Sequence, residues 1–95
     1  MNQIVILVNN KTCGYCRKFA PVIERVVKSM SPQAQLNVTV ADRNDPDGAG
    51  WFSKLSYRGG IPCVVALKDG EPFEQVPGYK PDDKLAPLLA KLMMA

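Results

Sequence analysis

Cys13-Gly14-Tyr15-Cys16 constrains this chain more than any other stretch. It sits between a continuously apolar run, Ile4 to Val8, and a segment in which Phe19, Val22/Ile23, Val26/Val27 and Met30 recur at helical intervals. A β-branched run of that kind suits a strand covered on both faces. The stripe that follows suits an amphipathic helix. One turn of helix brings the two thiols within disulfide reach, and the first thiol then lies over the helix N-terminus, where a thiolate is stabilised. A dithiol placed in this way is a device for exchanging disulfides.

The remaining pattern orders the elements. Gln3 to Val8 is the first strand, and the helix after it contains Pro21, which predicts a kink, before Ser31-Pro32 ends it. Leu36 to Val40 alternates and reads as a second strand. The polar, turn-rich stretch Asp42 to Gly50 leads into a short helix with Trp51, Phe52 and Leu55 on its apolar side, stopping near Gly59-Gly60. Cys63 to Leu67 is a third strand, Asp69-Gly70 a tight-turn signal, and Pro72 to Val76 the antiparallel return. Leu85, Leu88, Leu89 and Leu92 mark a last helix, in which Pro87 is an awkward guest. The order β-α-β-α-β-β-α is an α/β fold. Its first two strands are parallel through a right-handed crossover, and its last two form a hairpin.

Composition narrows the function. Ninety-five residues allow one domain, 1–95, with a modest stability margin. The net charge of +3 is mild and its basic residues are scattered, apart from a local group at Lys11, Arg17 and Lys18. A nucleic-acid binder would show a denser stripe. The run Ile4 to Val8 is too short to span a membrane, and Met1-Asn2-Gln3 lacks the basic residues of a signal peptide, so a cytoplasmic protein is expected. Three cysteines and no histidine argue against a secreted disulfide framework and remove Cys-His and Ser-His catalysis.

Disulfide exchange needs one reachable, partly ionised sulfur and a second that attacks the mixed disulfide. Cys13, ahead of the helical stripe, fits the first role, and Cys16, inside the first turn, fits the second. Unpaired first-turn N–H groups bring thiol pKa values from about 8.5 down to roughly 3.5–7.5. Lys11, Arg17 and Lys18 are close enough in sequence to assist, Gly14 lets a partner's backbone approach, and Tyr15 offers a flat apolar rim. A zinc site would need a further ligand from an Asp or a second chain. Pro62, just before a core strand, reads locally as an ordinary first strand residue. Cys63 after it is either a small buried hydrophobe or a third redox thiol.

Several motifs together resemble the thioredoxin/glutaredoxin superfamily, over nearly all 95 residues. Cys13-Gly14-Tyr15-Cys16-Arg17-Lys18-Phe19-Ala20-Pro21 resembles the thioredoxin active-site helix, with a proline five residues after the second cysteine. Ile61-Pro62 resembles the cis-proline loop, Lys68-Asp69-Gly70-Glu71 the hairpin turn, and Gly78 the glycine after the final strand. Thr12-Cys13-x-Tyr15-Cys16-Arg17 is closer to a glutaredoxin.

The resemblance implies a compact thioredoxin fold: a four-stranded mixed sheet flanked by three helices. It implies a dithiol–disulfide oxidoreductase that reduces protein disulfides, with Cys13 the nucleophile and Cys16 the resolving thiol. Pro62, in cis, would lie against the dithiol, and the Ile61 backbone would pair with substrate as an added strand. Gly78 would leave room for that substrate, and Tyr15 and Tyr79 would line the groove. No cofactor is tightly bound beyond the redox-active disulfide. Lys11 and Arg17 are candidates for tuning the thiol or for contacting glutathione. Implied partners are disulfide-containing proteins, ribonucleotide reductase by analogy alone, with thioredoxin reductase or glutathione as electron source. A monomer that binds neither nucleic acid nor membrane is expected.

There are departures. Thr12 stands where typical thioredoxins have tryptophan, and Leu7 where they bury an aspartate. The usual N-terminal strand and helix are missing, and the segment before Gly59-Gly60 is longer. Trp51 in that segment is expected to fill core space rather than touch substrate. The alternatives are an iron–sulfur or zinc carrier using the same cysteine with glutathione, and an oxidase or isomerase working in the same groove.

Overall fold

The computed structural model describes residues 1–95. Its centre is β1 (Gln3–Val8), in which Ile4 to Val8 are buried on both faces, as a continuously apolar strand requires. β1 runs parallel to β2 (Val38–Asp42) and antiparallel to β3 (Cys63–Lys68), which pairs with β4 (Glu71–Pro77). The four strands lie in the order β2-β1-β3-β4. Asp69 and Gly70, at φ 52° and 82°, supply the two left-handed residues that a tight β3–β4 hairpin demands. Pro72 and Pro77 are tolerated because β4 is an edge strand.

Strand alternation sends side chains to two cores. Ile4, Ile6, Val8, Val64 and Ala66 face α1 (Gly14–Lys28) and α4 (Asp82–Met94). Val5, Leu7, Cys63, Val65 and Leu67 face the other way, against Phe52 of α3 (Pro46–Leu55). The α1 stripe buries Cys16, Phe19, Val22, Ile23 and Val26, and α4 adds Leu85, Leu89, Leu92 and Met93. A bidentate pair between Arg25 and Asp82, both bonds 2.9 Å, ties α4 to α1. Both helices run through their prolines. Pro21 and Pro87 are exposed, so the carbonyl each deprives of its N–H partner can turn to water.

The sheet and its flanking helices form a thioredoxin fold, and three details correct the sequence reading. There are four helices rather than three, because α2 (Pro32–Leu36) follows α1 at once. Ser31 caps it, accepting from the Ala34 N–H at 3.2 Å, with Pro32 in the first helical position. A Ser-Pro pair that stops one helix is equally suited to starting the next. Leu36 is therefore the end of a helix, 86% exposed, and β2 begins at Val38. Third, α3 starts at Pro46, inside the stretch taken for a turn-rich connection, and it ends at Leu55 with Ser56 left-handed at φ 49°. Trp51 is half-buried and packs against the second core, as expected of a space filler.

Gly48 explains why a glycine-rich segment forms this helix. A Cβ there would collide with the backbone of Asp42, so only glycine lets α3 lie this close to the end of β2. Gly48→Ala should therefore lower unfolding free energy by about 2 kcal/mol in urea denaturation, despite alanine's better helix propensity. Gly50→Ala, where a Cβ meets nothing, should stabilise by about 0.5–1 kcal/mol.

Candidate active site

The chain leaves β1 at Val8, turns through 9–12, and enters α1 at Gly14 with Cys13 as the N-cap residue. Asn9 organises the turn: its Oδ1 accepts from the N–H groups of Lys11 and Thr12 at 3.2 and 3.3 Å, and its carbonyl accepts from the Cys13 N–H at 3.0 Å. Helix N-termini usually hand a first-turn N–H to a serine or aspartate oxygen. Here the Cys16 N–H donates to Cys13 Sγ at 3.1 Å. The capping atom is thus also the reactive atom.

Cys13 and Cys16 are joined by a disulfide, their Cα atoms 5.2 Å apart. Cys13 is half-buried, whereas Cys16 has no exposed surface and packs with Phe19 and the rest of the first core. Cys13 Sγ lies 3.8 Å from the Ile61 carbonyl oxygen. The Ile61-Pro62 peptide is cis, Pro62 is buried, and its carbonyl accepts from the Gly78 N–H at 2.7 Å. Gly78, at φ 105°, occupies backbone space that other residues rarely adopt.

Tyr15, Ile61, Pro62, Gly78 and Tyr79 line one groove of about 350 Å³ beside the dithiol. Tyr15 is 65% exposed on its rim. Tyr79 forms a wall, its ring centroid 6.4 Å from that of Tyr15 and 5.6 Å, edge-on, from that of Phe19. Gly14 is exposed beside the disulfide. Arg17 lies back over the turn, its guanidinium donating to the carbonyls of Asn10 and Lys11 at 3.1 and 3.2 Å, and Lys11 is exposed.

Cys63 is not part of this constellation. It is fully buried in the second core, in register with Leu7, on the face of the sheet opposite Cys16. Burial pushes its thiol up, offset in part by the Tyr57 hydroxyl, so it stays protonated and inert. No three His, Cys, Asp or Glu side chains gather anywhere in the chain. Leu7 is likewise buried, and the interior holds no charged side chain at all.

One support, Tyr57, carried no pattern in the sequence, and Lys18, picked out there beside the thiols, instead serves the groove wall. Tyr57 donates to the Gly60 carbonyl at 2.6 Å and so braces the loop that presents Ile61. A Cβ at Gly59 would lie 2.6 Å from that same hydroxyl oxygen. Lys18 Nζ sits 5.2 Å from the centroid of the Tyr79 ring.

A buried strand, a helix whose first turn holds a disulfide, and a groove beside the outer sulfur define a thiol–disulfide oxidoreductase whose redox centre is its own cysteine pair. The comparisons make the family explicit. The thioredoxin family model matches residues 1–91. Thioredoxin of Staphylococcus haemolyticus is 35% identical over 79 residues, covering 83% of this chain and 71% of that one. The thioredoxin of Staphylococcus aureus is 33% identical over the same length. Among solved structures, a mutant thioredoxin from Halobacterium salinarum is 26% identical with a TM-score of 0.65, covering 96% of this chain and 75% of that one. The thioredoxin of Fasciola hepatica, 22% identical, shares the fold at a TM-score of 0.70 over 96% of this chain and 80% of that one. This chain belongs to the thioredoxin family. No helix in it is long and apolar enough to cross a membrane.

The burial of the three thiols and of Tyr57 has two measurable consequences. In reduced, folded protein at neutral pH, iodoacetamide should modify Cys13 first and leave Cys63 untouched until denaturant is added, as read by peptide mass mapping. Burial raises both Cys63 and Tyr57, so the folded state keeps two protons that the unfolded chain sheds. Stability from these groups is complete below about pH 8.5, the ordinary thiol value, and declines above it, more steeply past about pH 10 where free tyrosine ionises. Melting temperature should fall across that range, and Tyr57→Phe should flatten the fall above about pH 10.

Proposed function

We propose that this chain reduces protein disulfides, with Cys13 as the attacking sulfur and Cys16 as the resolving one. The observation that carries this is the asymmetry of the pair. Cys13 Sγ is reachable, holds a helix N–H and abuts the groove, while Cys16 is sealed in the core one turn away.

The chemistry follows the geometry. In the reduced protein the Cys13 thiolate attacks one sulfur of the substrate disulfide. A bond forms between Cys13 Sγ and that sulfur, and the other substrate sulfur leaves as a thiolate. Cys16 passes its proton to that thiolate and attacks Cys13 Sγ, restoring the Cys13–Cys16 disulfide and releasing the second substrate sulfur, which takes a proton from water. Two electrons have passed to the substrate, and an external reductant returns them. The Cys16 N–H and the dipole of α1 favour negative charge on Cys13 whenever it departs from a disulfide.

Tyr15, Ile61, Pro62, Gly78 and Tyr79 hold the substrate. An extended segment laid over the loop would bond to the Ile61 backbone as an added strand, and Gly14 and Gly78 keep side chains out of its way. Membership of the thioredoxin family supports a reductase enzyme as the electron source. The odd cysteine count, with Cys63 left reduced, supports a cytoplasmic setting.

Cys13→Ser should abolish reduction of a protein disulfide such as that of insulin. Cys16→Ser should instead accumulate mixed disulfides that are visible on non-reducing gels. Reductase activity retained by the Cys13 variant would overturn the assignment. Turnover at saturating reductant should be at least about tenfold faster with an NADPH-coupled thioredoxin reductase than with glutathione, as family membership supports.

A further inference from the structure

We propose that the groove selects disulfides flanked on both sides by acidic residues, a preference that rests on the protein-disulfide reading above. The groove lining itself is uncharged. Its rim is not. On the α1 side, Lys18 Nζ stands 5.2 Å from the Tyr79 ring centroid, and a Cβ at Gly14 would be 3.9 Å from the Arg17 guanidinium. Lys11 is exposed on the turn just before Cys13. On the β4 side, Lys80 Nζ donates to the Pro77 and Gly78 carbonyls at 3.2 and 3.3 Å, and a Cβ at Gly78 would be 4.0 Å from it. A segment crossing the groove therefore passes between cations at both margins.

None of these cations is neutralised. The protein's two ion pairs, Arg25–Asp82 and Lys28–Glu24, use none of them. Their hydrogen bonds go to backbone carbonyls, or in the case of Lys18 the ammonium rests on a ring, and such contacts hold a charge in place without cancelling it. Most of the acids lie elsewhere. Asp69 and Glu71 belong to the far end of the β3–β4 hairpin and Glu74 to the middle of β4, roughly 13–23 Å from Gly78 along the strand, beyond the Debye length of about 8 Å at physiological ionic strength. Asp45 and Asp47 sit at the start of α3, across β1 from the groove, and Asp42, at the end of β2, is held by the Asn44 N–H and amide at 3.0 and 2.6 Å and by Asn10, so it abuts the turn of Lys11 and leaves Lys18 and Lys80 as the cations clear of it. Asp82 is engaged by Arg25, which leaves Asp83 as the one unengaged acid of that helix's first turn.

The net charge of only +3 means that this is a local field, confined to the face where disulfides are exchanged. Carboxylates on either side of a substrate cystine would meet Lys18 or Arg17 at one margin and Lys80 at the other. Lysines there would be repelled at both.

The test uses three synthetic cystine peptides of equal length that differ only in the residues flanking the disulfide: Glu, Gln or Lys. The full-length reduced protein is mixed with each, and acid-quenched samples give second-order rates. At about 0.1 M salt, where the Debye length is about 10 Å, the order should be Glu, then Gln, then Lys, with about tenfold or more between the extremes, shrinking below about threefold at 0.5 M salt. The double variant Lys18→Glu, Lys80→Glu should invert the order. The readout is the Glu-to-Lys rate ratio within one protein preparation, so partial misfolding of the variant cancels. Equal rates for all three peptides at the lower salt would overturn the preference and leave disulfide reduction standing. Failure to reduce any of the three would overturn both.

Discussion

One hydrogen bond organises this molecule: the Cys16 N–H donating to Cys13 Sγ at the start of α1. A helix must satisfy its first-turn N–H groups, and the stable solutions place an acceptor at the N-cap. Here the acceptor is sulfur, so the demand of the helix and the demand of the chemistry fall on one atom. The helical period then fixes the partner. Cys16, Phe19, Ile23 and Val26 share the face that packs on the sheet. The repeat that seats α1 in the core also buries the second sulfur and leaves the first at the surface. The division of labour between two identical side chains is thus a consequence of 3.6 residues per turn.

The opposite wall of the groove depends on strand register. Ile61 and Pro62 precede β3, Gly78 follows β4, and the hairpin between them must close so that the Gly78 N–H reaches the Pro62 carbonyl. Cys63 pairs with Pro77 and Val64 with Val76, and a shift between Ala66 and Leu67 takes up the extra residue of β4. Slipping the register by one would send alternate side chains to the wrong core and carry Gly78 away from the groove. Asp69 and Gly70, far from any chemistry, therefore help to position the residues that line it.

The strongly patterned parts of the fold were legible in the sequence. β1 and α1 declare themselves through an unbroken apolar run and a clean helical stripe, and the dithiol between them inherits its geometry. The β3–β4 hairpin announces itself through Asp69-Gly70. The parts that were not legible are those where a local signal has two meanings. Ser31-Pro32 both ends α1 and starts α2, so Leu36 looked like a strand residue. Gly48 looked like a turn residue, yet it is glycine because α3 comes down on the backbone of Asp42. At the site, Cys13 and Cys16 could be placed from their position between strand and helix, and Ile61, Pro62, Gly78 and Tyr79 from the family resemblance. Tyr57 and Lys80 could not, because a loop tyrosine and a post-strand lysine have no periodicity, and only the folded chain shows what they touch.

Leu7 alters how the second sulfur can work. The interior around the sheet holds no buried charged side chain, so nothing beneath Cys16 can accept its proton. Any base must come from the groove side, past Cys13. The first half of the exchange brings one there, because the substrate sulfur that leaves is a thiolate with an ordinary affinity for protons near pH 8.5. A chain that keeps leucine at this position gains an uninterrupted apolar core, with Leu7 packed beside Cys63 and Ala41. It gives up a permanent internal base, and the resolving step is coupled to a substrate that must still be seated in the groove. On the proposed reading, how long that substrate stays matters to the chemistry, and the rim of Tyr15, Tyr79 and the neighbouring Lys18 is where its residence would be set.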